Sequence, residues 1–190
     1  MITTLYIFTE ELSAKNVFDI ILPQILPQNV SFNVFSHQGK QDLIKALRTT
    51  IPTISKIQGA KILITHDQDS ADCKEIKKKL KDVINEKCHC DFFIRIVCKE
   101  LESWFLGDLE AVEKAYPRFK SSQYKDKANM RDVDSIVNPS YYLCRVIYSQ
   151  NKKLPKIEVS QKISPFLTIE NNTSTSFQHT ISAIKQLVNK

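Results

Sequence analysis

Apolar and polar positions in the first hundred residues follow two alternating rhythms. Thr3 to Thr9, with TLYIFT at its core, is the short apolar run of a buried strand, whereas Ala14 to Leu26 sets Val17, Phe18, Ile21, Leu22 and Ile25 at helical spacing. A strand pattern over Val30 to Phe35 precedes a helical one from about Lys40 to Ile57, with Pro52 as a point of bending. Lys61 to Thr65 is a third strand. Beyond it Cys73, Ile76, Leu80, Val83 and Ile84 share a face that predicts a helix from Asp72 to about Glu86. A fourth strand, Asp91 to Val97, leads into a short helix over Leu101 to Leu106.

Strands separated by helices of this length predict βαβ units. The expected fold is therefore α/β and Rossmann-like: a mostly parallel four-stranded sheet flanked by helices. From about residue 117 the rhythm changes. Pro117 to Asn138 is polar and irregular, and helical patterns follow over Pro139 to Tyr148, Lys156 to Leu167 and Ser174 to Val188. The expected organisation is an α/β domain over 1–116 with a C-terminal helical extension, 117–190, packed on it.

Composition narrows the class. A chain of 190 residues, 42% hydrophobic, can bury one substantial core, and three glycines with seven prolines exclude a collagenous or linker-rich polymer. No segment reaches the roughly 18 uninterrupted apolar residues of a membrane span. The start, MITTLYIFTEEL, has neither a basic leader region nor a small-residue cleavage site, so a cytoplasmic location is expected. Five cysteines without a regular framework suit a reducing compartment. Cys88-His89-Cys90, with Cys98 beyond, invites a zinc reading, but the spacing is not that of paired zinc ligands and strand-like residues intervene. The net charge of +6 favours an anionic partner such as nucleic acid. Much of the excess lies in Lys74-Glu75-Ile76-Lys77-Lys78-Lys79-Leu80-Lys81, which reads either as a solvated helix face or as a phosphate-binding stripe.

The acids carry the candidate chemistry. In a parallel α/β sheet the loops at the carboxyl ends of the strands share one edge, where ligands bind. Glu10 and Glu11 follow the first strand, Asp67 and Asp69 the third, and Glu100 and Glu102 the fourth. All three groups are expected to converge. Residues two apart in extended backbone point the same way, so Asp67 and Asp69 are expected to present their carboxylates together. Such hard oxygen donors suit Mg²⁺ or Mn²⁺. Asp72 and Glu75 have capping-box spacing, which makes Asp72 structural rather than a ligand, and a negative charge at Glu100 suits a helix N-terminus. Asp67 has no such structural duty. Trp104 shares helical spacing with Leu101 and Phe105, which favours packing against the sheet over stacking on a base.

The order strand, Glu10, helix, strand, helix, strand, Asp67-Gln68-Asp69, helix resembles the TOPRIM domain of topoisomerases, primases and overcoming-lysogeny-defect nucleases. Closer still is a small stand-alone TOPRIM-like family of unknown function, commonly encoded beside AAA- or ABC-type ATPases. The closer match is carried by Ile7-Phe8-Thr9-Glu10, Ile21-Leu22-Pro23, His37-Gln38-Gly39-Lys40, Asp67-Gln68-Asp69-Ser70 with Asp72-Cys73 and Lys77, and Lys99 to Asp108. Weaker echoes are Lys156-Ile157 and Ser174 to Phe177.

The resemblance implies a metal-dependent nuclease acting on DNA or RNA, with an ATPase partner, in phage or mobile-element defence. It implies divalent metal on Glu10, Asp67 and Asp69, and a second metal on Glu100 or Glu102. Lys40 would offset phosphate charge, or is simply an exposed lysine in a helix first turn. The family pattern has a glycine after the glutamate and an acid three residues later; here Glu11 and Ala14 stand at those positions. Those departures favour an alternative, a non-catalytic module that binds nucleic acid or the ATPase. A receiver-like phosphoacceptor ranks last, because it needs a lysine after a fifth parallel strand where this chain turns helical.

Overall fold

The computed structural model describes residues 3–148 and 153–189. Strands β1 (Thr3–Thr9), β2 (Val30–Ser36), β3 (Ala60–Asp67) and β4 (Phe92–Val97) form a wholly parallel sheet in the order β2-β1-β3-β4. Between them run α1 (Leu12–Ile25), α2 (Lys40–Ile54) and α3 (Cys73–Ile84). After β4 come α4 (Glu102–Leu106), α5 (Leu109–Ala115), α6 (Pro139–Tyr148), α7 (Lys156–Ile163) and α8 (Thr175–Val188). The stretch expected to be irregular holds three short 3₁₀ turns instead of longer elements, while α5 is a helix that the pattern did not predict.

Side chains alternate across the sheet. Leu5, Ile7 and Leu63 face one way, onto Val17, Phe18, Ile21 and Leu22 of α1 and onto the C-terminal helices. Phe8, Ile62, Ile64 and Ile94 face the other, onto Leu43, Leu47 and Ile51 of α2 and Ile76 and Leu80 of α3. The first apolar cluster runs without interruption from β1 to Leu187. Residues before and after position 117 therefore share one core, and Asn16 Nδ2 donates to Ser160 Oγ across the two regions at 2.9 Å. Trp104 is fully buried, lies edge-on to Phe18 and Phe177, and donates its indole N–H to Ser176 Oγ at 3.0 Å. It is core, as its spacing suggested. Among the described residues no helix is long and apolar enough to cross a membrane.

The strand order fixes where a ligand can approach. The chain moves outward from β1 to β2, then returns to the other side of β1 to place β3 and β4. Neighbours β1 and β3 thus mark the point where the connections diverge to opposite faces, and their carboxyl ends open a crevice. Glu10 follows β1 and Asp67 ends β3, so they flank it.

Candidate functional site

Backbone ties hold the loops of this edge together. The N–H of Gly39 donates to the Glu10 carbonyl at 3.0 Å, joining the loops after β1 and β2. Gly39 does so at a φ of 97°, a conformation open to glycine and costly for other residues. The loops after β3 and β4 are joined by Gln68 N–H to the Val97 carbonyl at 2.9 Å and Asp69 N–H to the Lys99 carbonyl at 2.7 Å. Asp69 and Lys99 both adopt positive φ, 50° and 58°.

That turn overturns one expectation. Asp69 is not in extended backbone, so its side chain does not run parallel to that of Asp67; it lies exposed and pairs with Lys40 at the start of α2. Lys40, a partly exposed lysine in the first turn of α2, thereby has a charged partner at this edge. Asp67 instead has Glu10, Glu102 and Glu11 as its acidic neighbours, with Lys156 as the opposing charge.

Glu10 Oε2 accepts the Asp67 backbone N–H at 3.3 Å and lies 3.6 Å from His66 Nδ1. His66 is buried, and its Nδ1 is 2.6 Å from the Asp67 carbonyl, which can only accept; Nδ1 therefore carries a proton. Burial also pushes the His66 pKa down, favouring the neutral ring. Glu102 is 0% exposed, and neither of its carboxylate oxygens has a hydrogen-bond partner. Its nearest compensation is Lys156, from the first turn of α7, whose Nζ is 3.5 Å from Glu102 Oε2 and 3.8 Å from Glu11 Oε2.

Electrostatics follow from this crowding. Burial pushes the Glu10 carboxyl up to about 7, with the Asp67 N–H and Lys40 opposing and Asp69 and Glu11 adding repulsion. Burial likewise raises Glu102 to about 7 against the pull of Lys156. Asp67 is held well above the ordinary range by burial and then by repulsion from Glu10 and Glu102. Desolvation opposes charge on Lys156, but Glu102, Glu100 and Glu11 outweigh it and raise its pKa.

The remaining predicted residues have identifiable duties. Glu100 Oε2 accepts Ser140 N–H at 3.3 Å in the first turn of α6, a helix N-terminus distant in sequence. Asp72 caps α3 by accepting from Lys74 N–H at 2.8 Å and Glu75 N–H at 3.0 Å. Glu11 is the residue before α1, in extended backbone with φ −137° and ψ 158° and without a side-chain cap hydrogen bond, so the backbone conformation there does not require glycine. Cys88 and Cys90 bring their sulfurs to 3.9 Å from each other, beside Gly59 and Lys61 at the amino edge of the sheet. His66 belongs to none of the sequence motifs above, and Lys156 only to a weak one. Adjacency to Asp67 was a usable signal for His66, whereas Lys156 reaches the edge only through packing of α7.

Among the described residues no three His, Cys, Asp or Glu side chains form a group that could hold a metal ion as placed, so Glu10, Asp67 and Asp69 share an edge without forming one ligand set. The donor chemistry does fit a hard dication. Glu10, Asp67 and Glu102 are crowded carboxylates, each raised by burial, and Glu102 has two buried oxygens that satisfy no donor. The receiver-like reading lacks its fifth strand among the described residues, since the sheet ends at β4.

No curated protein and no solved structure matches the chain. The family model described as Domain of unknown function (DUF4276) matches residues 9–185, nearly the whole length, and the chain belongs to that family.

Proposed function

We propose that the chain is a Mg²⁺- or Mn²⁺-dependent phosphodiesterase of TOPRIM type acting on DNA or RNA. In this reading it is a cytoplasmic protein of phage or mobile-element defence that works with an AAA- or ABC-type ATPase. The observation that carries the chemical reading is the fully buried, hydrogen-bond-free carboxylate of Glu102 beside Asp67, whose other close acidic neighbour is Glu10, at the crevice between β1 and β3. Three acids gathered in a desolvated place are costly unless a cation compensates. The ATPase, the defence role and the TOPRIM assignment rest on the motif resemblance.

Glu10, Asp67 and Glu102 would hold the metal, with Asp69 and Glu100 at the rim. When bound, the metal polarises a phosphoryl oxygen and lowers the pKa of coordinated water. The chain's own groups then orient the substrate. Lys40 and Lys156 place positive charge on either side of the acids to meet phosphate oxygens. Neutral His66 holds the Asp67 carbonyl and so fixes the end of β3.

The test is Mn²⁺ titration by calorimetry, together with cleavage of plasmid, linear DNA and RNA, with and without the ATPase. Asp67→Asn is expected to abolish both metal binding and cleavage while leaving the fold intact. Metal binding by Asp67→Asn as tight as wild type would exclude Asp67 as a ligand.

One observation favours the non-catalytic alternative. Lys156 already pairs with Glu102 and Glu11, and Lys40 with Asp69, so much of the acidic charge is met from within the chain. On that reading the edge binds nucleic acid or the ATPase without cutting. Absence of cleavage under every condition, with binding retained, would support it.

A further inference from the structure

A second charged feature lies beyond the crevice, on the open side of β4. As the last strand of the sheet, β4 has β3 on one side only. Helices α3 and α8 flank its free edge and leave a groove of about 340 Å³, the scale of a small-ligand cleft. Lys74 and Lys77 line it from α3, three residues apart and hence on one helix face. Arg95 lines it from β4, and His179 with Thr175, four residues apart, from α8. Partly buried Ile96, above the core residue Ile94, supplies an apolar floor.

No ion pair of the described residues uses the cations of this groove. The ion pairs of the described residues engage Lys15, Lys40, Lys61, His66, Lys120, Lys156 and Lys162, and none involves Lys74, Lys77 or Arg95. Arg95 Nε is buried and lacks a hydrogen-bond partner, while its guanidinium lies 5.1 Å from the centre of the Phe93 ring. Such a donor is costly to leave unmet. Asp134, the acid nearest this end of α8, is occupied by Ser174 Oγ at 2.7 Å and Ser176 N–H at 2.7 Å. The groove therefore combines three cations that stand in no ion pair among the described residues with a buried donor and an apolar surface.

We propose that it binds one single-stranded segment of nucleic acid, with Lys74, Lys77 and Arg95 on successive phosphates and a base against Ile96. A single strand fits better than a duplex because its unstacked bases can reach an apolar floor. The groove also adjoins the crevice: Lys74 donates its backbone N–H to the Asp72 cap just past the β3 loop, and Cys98 follows Val97, the register partner of Asp67. A strand held here enters or leaves the acidic centre along β4. This inference rests on the nucleic-acid reading of that centre and adds the strand's path to it.

The experiment is fluorescence anisotropy with labelled single-stranded DNA and RNA oligonucleotides, in EDTA, across a range of salt. The variants are Lys74→Gln/Lys77→Gln/Arg95→Gln and a control that removes equal charge elsewhere, Lys45→Gln/Lys56→Gln/Lys79→Gln. Each lost phosphate contact is expected to reduce the log–log salt slope by about 0.7, so the groove variant should lose about 2 and bind at least roughly tenfold more weakly at low salt. The control should keep the wild-type slope within about 0.5. Because Arg95 is partly buried, the double variant Lys74→Gln/Lys77→Gln repeats the test with exposed side chains only. Equal slopes in groove and control variants, or no single-strand binding by wild type, would overturn the proposal. Mn²⁺ calorimetry separates the two readings. Metal binding without strand binding removes the groove and spares the metal centre; strand binding lost only in the groove variants, without any metal binding, does the reverse.

Discussion

Lys156 sets its ammonium 3.5 Å from Glu102 Oε2, joining α7 to the first residue of α4 across the sheet edge. The Glu102 side chain is almost wholly enclosed, while that of Lys156 is 27% exposed. Removing the lysine leaves an enclosed carboxylate without its counter-charge. Lys156→Met should cost roughly 3 kcal/mol at pH 8, the low end for breaking a buried pair because the lysine keeps some solvent. Urea unfolding measures this. The double variant Lys156→Met/Glu102→Gln should recover most of the loss, and failure to recover would assign the effect to packing.

Metal-free stability should fall as pH rises from about 5 to 8. Glu10 and Glu102 titrate at about 7 in the folded chain, above the ordinary glutamate value near 4.5. Between those values the folded state binds more protons than the unfolded state, so raising the pH favours unfolding. Each group contributes on the order of 3 kcal/mol at full separation, a ceiling because the sites interact. Glu102→Gln should flatten the pH dependence of the urea midpoint in EDTA. An unchanged slope would show that Glu102 ionises freely in the fold.

Glu11 offers a test of enzyme against binding module. Its carboxylate adds negative charge beside Asp67 and Glu10. Repulsion between one carboxylate and an approaching phosphate is on the order of 1 to 4 kcal/mol between water-like and surface dielectrics, enough to suppress turnover about tenfold or more. Glu11→Gly should therefore raise metal-dependent cleavage, and adding Asp67→Asn should remove the gain. No cleavage by wild type or Glu11→Gly, with nucleic-acid or ATPase binding intact, would favour the module.

Gly107 marks where the C-terminal segment docks on α4. A Cβ there would overlap Asn172 Oδ1 and come within 2.8 Å of the Ser174 backbone nitrogen. Asn172 in turn donates to the Trp104 carbonyl at 2.8 Å. Gly107→Ala should lower stability by about 1 to 3 kcal/mol through overpacking. Thermal unfolding checks it, and a neutral result would show that Asn172 moves freely.

Local chemistry made some of this legible in the sequence. The Asp72 cap depends on backbone only two and three residues away, and Trp104 announced its burial through spacing with its neighbours. The alternation of short apolar runs and helical faces was enough for the parallel sheet. The left-handed turn at Asp69 was not legible, because aspartate tolerates that conformation without requiring it. Nor was α5, whose seven residues are too few for a strong period, although Asp108 accepts from Ala111 N–H as its cap. Hardest to foresee was the setting of Glu102, since its counter-charge comes from a helix more than fifty residues on and only the folded core brings the two together.

The apolar cluster that runs from β1 to Leu187 also orders events during synthesis. The ribosome delivers all four strands before it delivers α8, which packs on β3 and β4. Until residues near Phe177 and Ile184 emerge, Trp104 lacks one of its two ring partners and the β4 end of the sheet lacks its cover. A nascent chain stalled at about residue 150 thus presents an oily, unfinished surface of the kind that recruits chaperones and invites aggregation. Native structure at this edge, and with it the Lys156–Glu102 contact, is completed only once α7 and α8 have been synthesised.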